Sequence, residues 1–286
     1  MNSEKIIKRR IKSAKNISQI TRAMQMVAAS KMKKAQDKAV SGRPYAQKIT
    51  DMLKRFSQNI DTEKHPLLKI NQDGKIAVIL VSTNKGLCSG LNTNLFRSLS
   101  NWFNRQIDQI IWITLGKKGE QFVVRSGGSL MADFSSEQPF TRNIGAIAKL
   151  ITQGYIKGNF REVYLIYNDF ISALKYEPLK KQLLPLQQPG IISTIHNQTE
   201  KIDFLVEPSV ESILEELLLN YIENQVRDAL LQAEASEQSA RMMAMKNATD
   251  NAMELIDILT LEYNKARQAK ITFEIADMVT ARLALN

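Results

Sequence analysis

Residues 83–94, TNKGLCSGLNTN, gather the side chains best able to do chemistry: Lys85, Ser89 and the single cysteine, Cys88, set around Gly86 and Gly90. They follow a β-branched run, KIAVILVS, and lead into a helix-like stretch. In an α/β protein that is where a phosphate-binding turn is placed. The motifs fail, however. Walker A needs four residues between its glycines and Lys-Ser/Thr directly after the second. Here three residues separate Gly86 from Gly90, Lys85 precedes the first glycine and Leu91 follows the second. The dinucleotide pattern G-x-G-x-x-G is not met either. Ser89 or Cys88 as a nucleophile would need a base. The two histidines, His65 and His196, stand 131 positions apart in unrelated contexts, which also argues against a metal site. The loop therefore reads as a tight strand-to-helix turn, with no catalytic, cofactor-binding or metal residue assigned.

The elements around that turn are of two kinds. All 12 glycines and 7 prolines fall between Gly42 and Pro208. Glycine costs a helix interior about 1 kcal/mol and proline about 3. Their absence from residues 1–41 and 209–286 predicts two very long helices, the second extending roughly 117 Å if continuous. The steps between Ile17, Ile20, Met24, Ala28, Met32, Ala35 and Ala39 are of three and four residues, as are those from Ala229 through Ala233, Ser236, Ala240 and Met243 to Asn247. Both are seams of the coiled-coil kind. Ser209, followed by Glu211, Glu215 and Glu216, is a good helix cap and first turn.

Charge is distributed unevenly. Residues 1–60 hold 15 Lys/Arg against 3 Asp/Glu, residues 209–286 hold 7 against 13, and the whole chain carries +10. Opposite sign favours an antiparallel pair of the terminal helices, though exposed pairs contribute only a few tenths of a kcal/mol each. The seam residues are small, so they admit close backbone approach and bury little area; each missing CH₂ forgoes about 0.8 kcal/mol. If both helices leave a central domain, the first runs out about opposite residue 265. The remaining RQAKITFEIADMVTARLALN would project as one apolar helix, with Ile271, Ile275, Met278, Val279, Leu283 and Leu285 over a broad sector. Such a surface needs a sleeve made by another protein, or must fold back on its own domain.

Between the helices, KIAVILVST, QIIWITLG and EVYLIYNDF read as buried strands. Helices are expected around Leu91–Arg105, Lys117–Arg125 and Asn143–Ile156. That order predicts a mostly parallel, Rossmann-like sheet. ISALKYEPLKKQLLPL and the stretch ending KIDFLVEP should add antiparallel strands or a hairpin. The expected organisation is an N-terminal coiled-coil helix over 1–58, a central α/β domain over 75–205 and a C-terminal coiled-coil helix over 209–286. No run of 18 apolar residues could span a bilayer, and no apolar h-region follows the basic start. Residues 1–36, with one acid, have a transit-peptide composition, but the same stretch reads as part of the mature fold. One cysteine permits no internal disulfide, which fits a reducing compartment.

These residues resemble a known family. ISQITRAMQMVAASKMKKAQ (17–36), STNKGLCSGLNTNLF (82–96), QLLPL (182–186), ASEQSARMMAMKNATDNAMELI (235–256) and LTLEYNKARQAKIT (259–272) are similar, in the same order, to the gamma subunits of F-type ATP synthases. The resemblance implies a non-catalytic shaft turning inside a hexamer of alpha and beta subunits. Its central domain would sit with the epsilon subunit on the membrane c ring, with ion-driven rotation coupled to ATP synthesis or hydrolysis on beta. It implies partner contacts to beta and alpha subunits at Arg22, Met24, Arg267, Gln268, Thr272 and Glu274. Arg241 and Lys246 lie in the neighbouring diagnostic stretch, and Phe204 and Glu207 would face the c ring and epsilon.

There are departures from the family pattern. Lys270 stands where a small residue is usual and Phe273 where an amide is common, while Asn84-Lys85 and Ser89 replace Asp-Arg and Gly. The cysteine insertion of chloroplast members is absent, so a bacterial protein, peripheral on the cytoplasmic face of the inner membrane, is expected. Cofactors, nucleic acid and direct membrane insertion are not implied. A nucleotide-binding enzyme would need a phosphate motif. A nucleic-acid binder would need basic residues interleaved with aromatic readers, whereas here the basic helix has an acidic partner in its own chain.

Overall fold

The computed structural model describes residues 3–57, 65–103, 110–186 and 210–283. The two stretches poor in helix breakers are helices: α1, Ser3–Ser57, and the C-terminal one, Val210–Leu283, 74 residues long. α1 runs on through Gly42 and Pro44, past the point where propensity alone would end it. The proline removes one backbone hydrogen bond, and the helix continues on the packing of Ile49 and Leu53. Contacts divide the chain into two compact units, Lys31–Ala240 and Met1–Ser30 with Arg241–Asn286, so each long helix contributes to both.

In the first unit, β1 (Lys75–Val81), α2 (Leu91–Trp102), β2 (Ile111–Leu115), α3 (Lys117–Arg125), β3 (Ser129–Asp133), α4 (Ile144–Ile156), β4 (Phe160–Ser172) and β5 (Lys175–Leu184) alternate. The C-terminal helix is therefore α5. The sheet order is β3-β2-β1-β4-β5. The first four strands are parallel and β5 is antiparallel to β4. The mostly parallel, Rossmann-like sheet is thus present, with the hairpin expected in ISALKYEPLKKQLLPL. β3 was not anticipated. SLMAD has no β-branched residue, and as an edge strand it buries only alternate side chains, so it lacks the apolar run that marks the inner strands. The cap at Ser209 and the strand expected in KIDFLVEP lie outside the described residues.

Each face of the sheet has its own core. Val78, Leu80, Trp112 and Ile166 pack under α2 and α3 with Leu95, Leu99 and Val123. On the other face Ile79, Ile113, Val163 and Leu165 pack with α4, with Ile49 and Leu53 of α1, and with Leu218, Ile222, Val226 and Leu230 of α5. Over 214–240 α5 is withdrawn from solvent nearly all round, exposed only at Glu215, Glu216 and Arg227, because it is buried against a domain there and not along a single seam.

The second unit is an antiparallel helix pair. Thr21 Oγ1 meets Thr249 Oγ1 at 2.7 Å, and Tyr263 Oη donates to Glu4 Oε1 at 3.1 Å. On α1 the inward line is Glu4, Ile7, Ile11, Ala14, Ser18, Thr21, Gln25 and Ala28, with Met24 and Ala29 half-buried beside it; on α5 it includes Met242, Met245, Thr249, Ala252, Ile256, Leu259, Tyr263 and Ala266. Both lines alternate steps of three and four, as heptads require. The expected seams are corrected only at one end of each, since Met24, Ala28, Met32, Ala35 and Ala39 on α1 and Ala229, Ala233, Ser236, Ala240 and Met243 on α5 are withdrawn from solvent. Ile17 and Ile20 are 50% and 60% exposed, and Asn247 is exposed. The seam mixes small residues such as Ala14, Ser18 and Thr21 with bulky ones such as Ile7, Ile11, Ile256 and Leu259, so the phase of each helix toward its partner, and not side-chain size, leaves Ile17 and Ile20 outside. One ion pair between the helices joins Lys270 of α5 to Glu4 of α1 at 3.5 Å.

Candidate partner-binding surface

The loop 83–94 forms its turn largely from its own polar groups. Thr83 Oγ1 donates to Lys85 O, Asn92 Nδ2 donates to Thr83 Oγ1, and Asn84 links Ser135 O to the Lys117 N–H. Behind it, Ser82 Oγ donates to Gly116 O and accepts the Gly119 N–H at 2.7 Å. Cys88 is 1% exposed and packs with Leu91, Ala240 and Tyr176. These groups serve the strand-to-helix crossover, and a phosphate cradle would need backbone N–H groups pointing outward at this turn.

The surface that lacks a partner is on the helices. From Arg267 to Leu283 every residue of α5 is exposed. Ile271, Phe273, Ile275, Met278, Val279 and Leu283 lie bare in this stretch, Phe273 and Leu283 at 71% each. The helix stays regular to Leu283, well past its last contacts with the start of α1 at Tyr263 and Lys270. Ile17, Ile20, Met26 and Val27 on α1, with Leu255, Ile258 and Leu261 on α5, extend the exposed apolar surface. Sequence reasoning placed the first two in the seam and did not assign the others. Their signal was present: bulky residues on a face not shared with the small-residue line.

The residues implied by resemblance fall at two levels. Arg22 is exposed and Met24 half-buried, close to the Thr21–Thr249 contact. Arg267, Gln268, Thr272 and Glu274 are exposed on α5 near its meeting with Glu4. Along α5 the levels of Thr249 and Arg267 differ by roughly 27 Å, so these residues form two separate groups on the helix pair. Within the upper zone Thr272 Oγ1 donates to Gln268 O, and Lys270 Nζ lies 3.5 Å from Glu4 and 3.7 Å from Glu274. Arg241 is half-buried and Lys246 exposed. Phe204 and Glu207 lie outside the described residues. Among the described residues no group of His, Cys, Asp and Glu could hold a metal ion, and no helix is long and apolar enough to cross a membrane.

A family model described as ATP synthase matches residues 3–285. The ATP synthase gamma chain of Desulfitobacterium hafniense is 39% identical over 288 residues, covering all of both chains. That of Nitrosococcus oceani is 40% identical over 291 residues, again covering both completely. Among solved structures, a chain of the central stalk/c-ring of Tetrahymena thermophila mitochondrial ATP synthase aligns with a TM-score of 0.59 at 27% identity, over 80% of this chain and 99% of that one. A chain of the Euglena gracilis mitochondrial ATP synthase shares the fold at 18% identity, with a TM-score of 0.66 over 99% and 94% of the two chains. The chain belongs to the ATP synthase gamma-chain family.

Proposed function

We propose that the chain is the rotating central-stalk subunit of an F-type ATP synthase, a subunit that is not itself catalytic. The observation that carries this reading is the helix end Arg267–Leu283, exposed on all sides with six large apolar side chains. A lone helix with that surface requires an enclosing partner, and a hexamer of alpha and beta subunits is the sleeve that family membership supplies. The α/β unit would stand with the epsilon subunit on the c ring, with Phe204 and Glu207 near that contact. Ion flow would turn the ring and the shaft with it, on the cytoplasmic face of a bacterial inner membrane.

Coupling then follows from asymmetry. Any conformational drive requires a differential interaction energy between states. The exposed faces of α1 and α5 differ in residue type at each level, so each beta subunit meets a different surface as the shaft turns. Arg22 and Met24 would act at the lower level, and Arg267, Gln268, Thr272 and Glu274 at the upper. The complex would thereby synthesise or hydrolyse ATP on its beta subunits.

The test is proton or sodium pumping driven by ATP hydrolysis, measured in vesicles carrying the assembled complex. Arg267→Ala with Gln268→Ala should lower pumping per ATP by about tenfold, equivalent to about 1.4 kcal/mol of contact energy. Deleting the residues after Val279 should lower it less. Pumping at the parental level in both variants would refute the contact assignment. Met24→Lys places a cation at a half-buried interface position and should also reduce coupling, whereas an unchanged ratio would remove Met24 from the contact.

A further inference from the structure

A doubly wound sheet offers its crevice at the carboxyl ends of the strands, where the crossovers diverge to opposite faces. In the order β3-β2-β1-β4-β5 that point lies between β1 and β4. β1 leads through Cys88 into α2 on one face, while β4 is reached from α4 on the other. The crevice is filled by the chain's own α5. Ser236 and Ser239 are 0% exposed there, and Ala240 packs on Cys88 and Leu91.

Polar contacts set the position of α5. Its pairing with β1 takes β4 as far as Ile166, and β4 then continues to Ser172 paired with β5, Tyr167 to Leu179 through Ser172 to Lys175. This hairpin lies along α5. Ser236 Oγ donates to Asn168 O at 3.0 Å, and Ser239 Oγ donates to Ala173 O. Eight residues earlier on the same face of α5, Asp228 acts on Lys181 of β5 and Asp169 of β4. Burial depresses the Lys181 ammonium while both carboxylates oppose that shift. Burial, then the Asp228 charge, raises Asp169.

Close-packed apolar side chains already resist rotation of α5. A hydroxyl-to-carbonyl bond made in a dry interior adds a directional restraint, because losing it leaves a buried group unsatisfied. We infer that the β4–β5 hairpin is the torque arm of the α/β unit, clasping α5 through Ser236 and Ser239 so that the helix cannot turn against the sheet. These are positioning residues, since they touch no substrate. The inference rests on the rotary reading above and names the place within the subunit where rotation is handed to the helix.

The experiment uses the full ATP synthase complex carrying this chain, with the hexamer fixed to a surface and a bead on the ring. Angular fluctuation of the bead reports torsional stiffness, because a packed interior transmits strain with little compliance. Ser236→Ala with Ser239→Ala should raise the angular variance by about twofold and lower ion pumping against an opposing gradient, with the unloaded hydrolysis rate unchanged. Ser236→Ala alone, which removes only the bond to Asn168 O, should do the same to a smaller degree and stands in should the double variant fail to assemble. Leu95→Ala, in the core on the opposite face of the sheet, is the control for general loosening and should leave the variance unchanged. Clasp variants at parental stiffness, or a control that softens as much as they do, would overturn the inference. A parental complex in which the bead does not rotate would instead overturn the rotary reading.

Discussion

At the scale of the residue, the turn that looked like an active site proves to be strained in a specific way. Leu87 and Ser89 hold φ of 62° and 53°, a left-handed conformation that costs an L-residue roughly 1–2 kcal/mol and glycine little. The glycine usual at position 89 in the family therefore has a backbone reason. Ser89→Gly should raise the stability of the purified chain by up to about 1 kcal/mol, measured by urea unfolding. Gly116 is the reverse case. Its φ is 107° and an added Cβ would run into the Ser82 carbonyl, so Gly116→Ala should cost at least about 2 kcal/mol.

Tyr164 shows a third residue-scale effect. Burial, followed by its hydrogen bond to Glu162, raises its phenol to about 12. A raised folded value means that this group's stabilisation is complete below pH 10, the ordinary phenol value, and is lost as pH climbs toward 12. Unfolding midpoints taken between pH 9 and 11 should fall less steeply for Tyr164→Phe than for the parent. Equal slopes would show that Tyr164 titrates normally.

At the scale of the element, helical periodicity was legible and the facing side was not. Three-and-four spacing appears on more than one line of α1. The expected line ran through Ile17, Ile20, Met24 and Ala28; packing keeps Met24 and Ala28 but reaches them through Ala14, Ser18 and Thr21. The reason is helical phase: Ile7 and Ile11 lie on the line that faces the partner helix, whereas Ile17 and Ile20 lie off it. The two faces should respond oppositely to substitution. Ala28→Leu overfills a site that is 1% exposed and should destabilise the helix pair by about 1–3 kcal/mol, seen as lower helicity in circular dichroism. Ile20→Ala should change the stability of the isolated chain by no more than about 0.5 kcal/mol, and should weaken assembly with partner subunits in a pull-down titration. A large loss of chain stability from Ile20→Ala would place that side chain back in the seam.

At the scale of the whole molecule, one helix serves two different environments. Over 214–240, α5 is enclosed by the sheet, α1 and α4; beyond Arg241 it has a single companion, and from Arg267 every residue is exposed. Local stability follows burial. In the isolated chain, amide hydrogen exchange should be slowest over 214–240, faster over 245–263 and fastest over 267–283, and the last stretch should become protected when the partner subunits assemble. Exchange that stays fast there in the assembled complex would contradict an enclosed helix end.

The sequence by itself determined the element types, because glycine and proline positions, β-branched runs and three-and-four spacing are local properties of the chain. It also determined the family, through ordered phrases from Ile17 to Thr272, and the exposed apolar end, through length alone: Glu4 meets Tyr263, close to the predicted position 265. Only the tertiary structure decided which faces meet. The edge strand β3 had no apolar run to announce it, and which of the three-and-four lines became the seam was set by the facing helix. The crevice between β1 and β4 is closed by Ser236, Ser239 and Ala240, residues some 70 positions from Asn168 and Ala173. Contacts between residues that far apart in the chain depend on the path of the backbone between them, which no local pattern encodes.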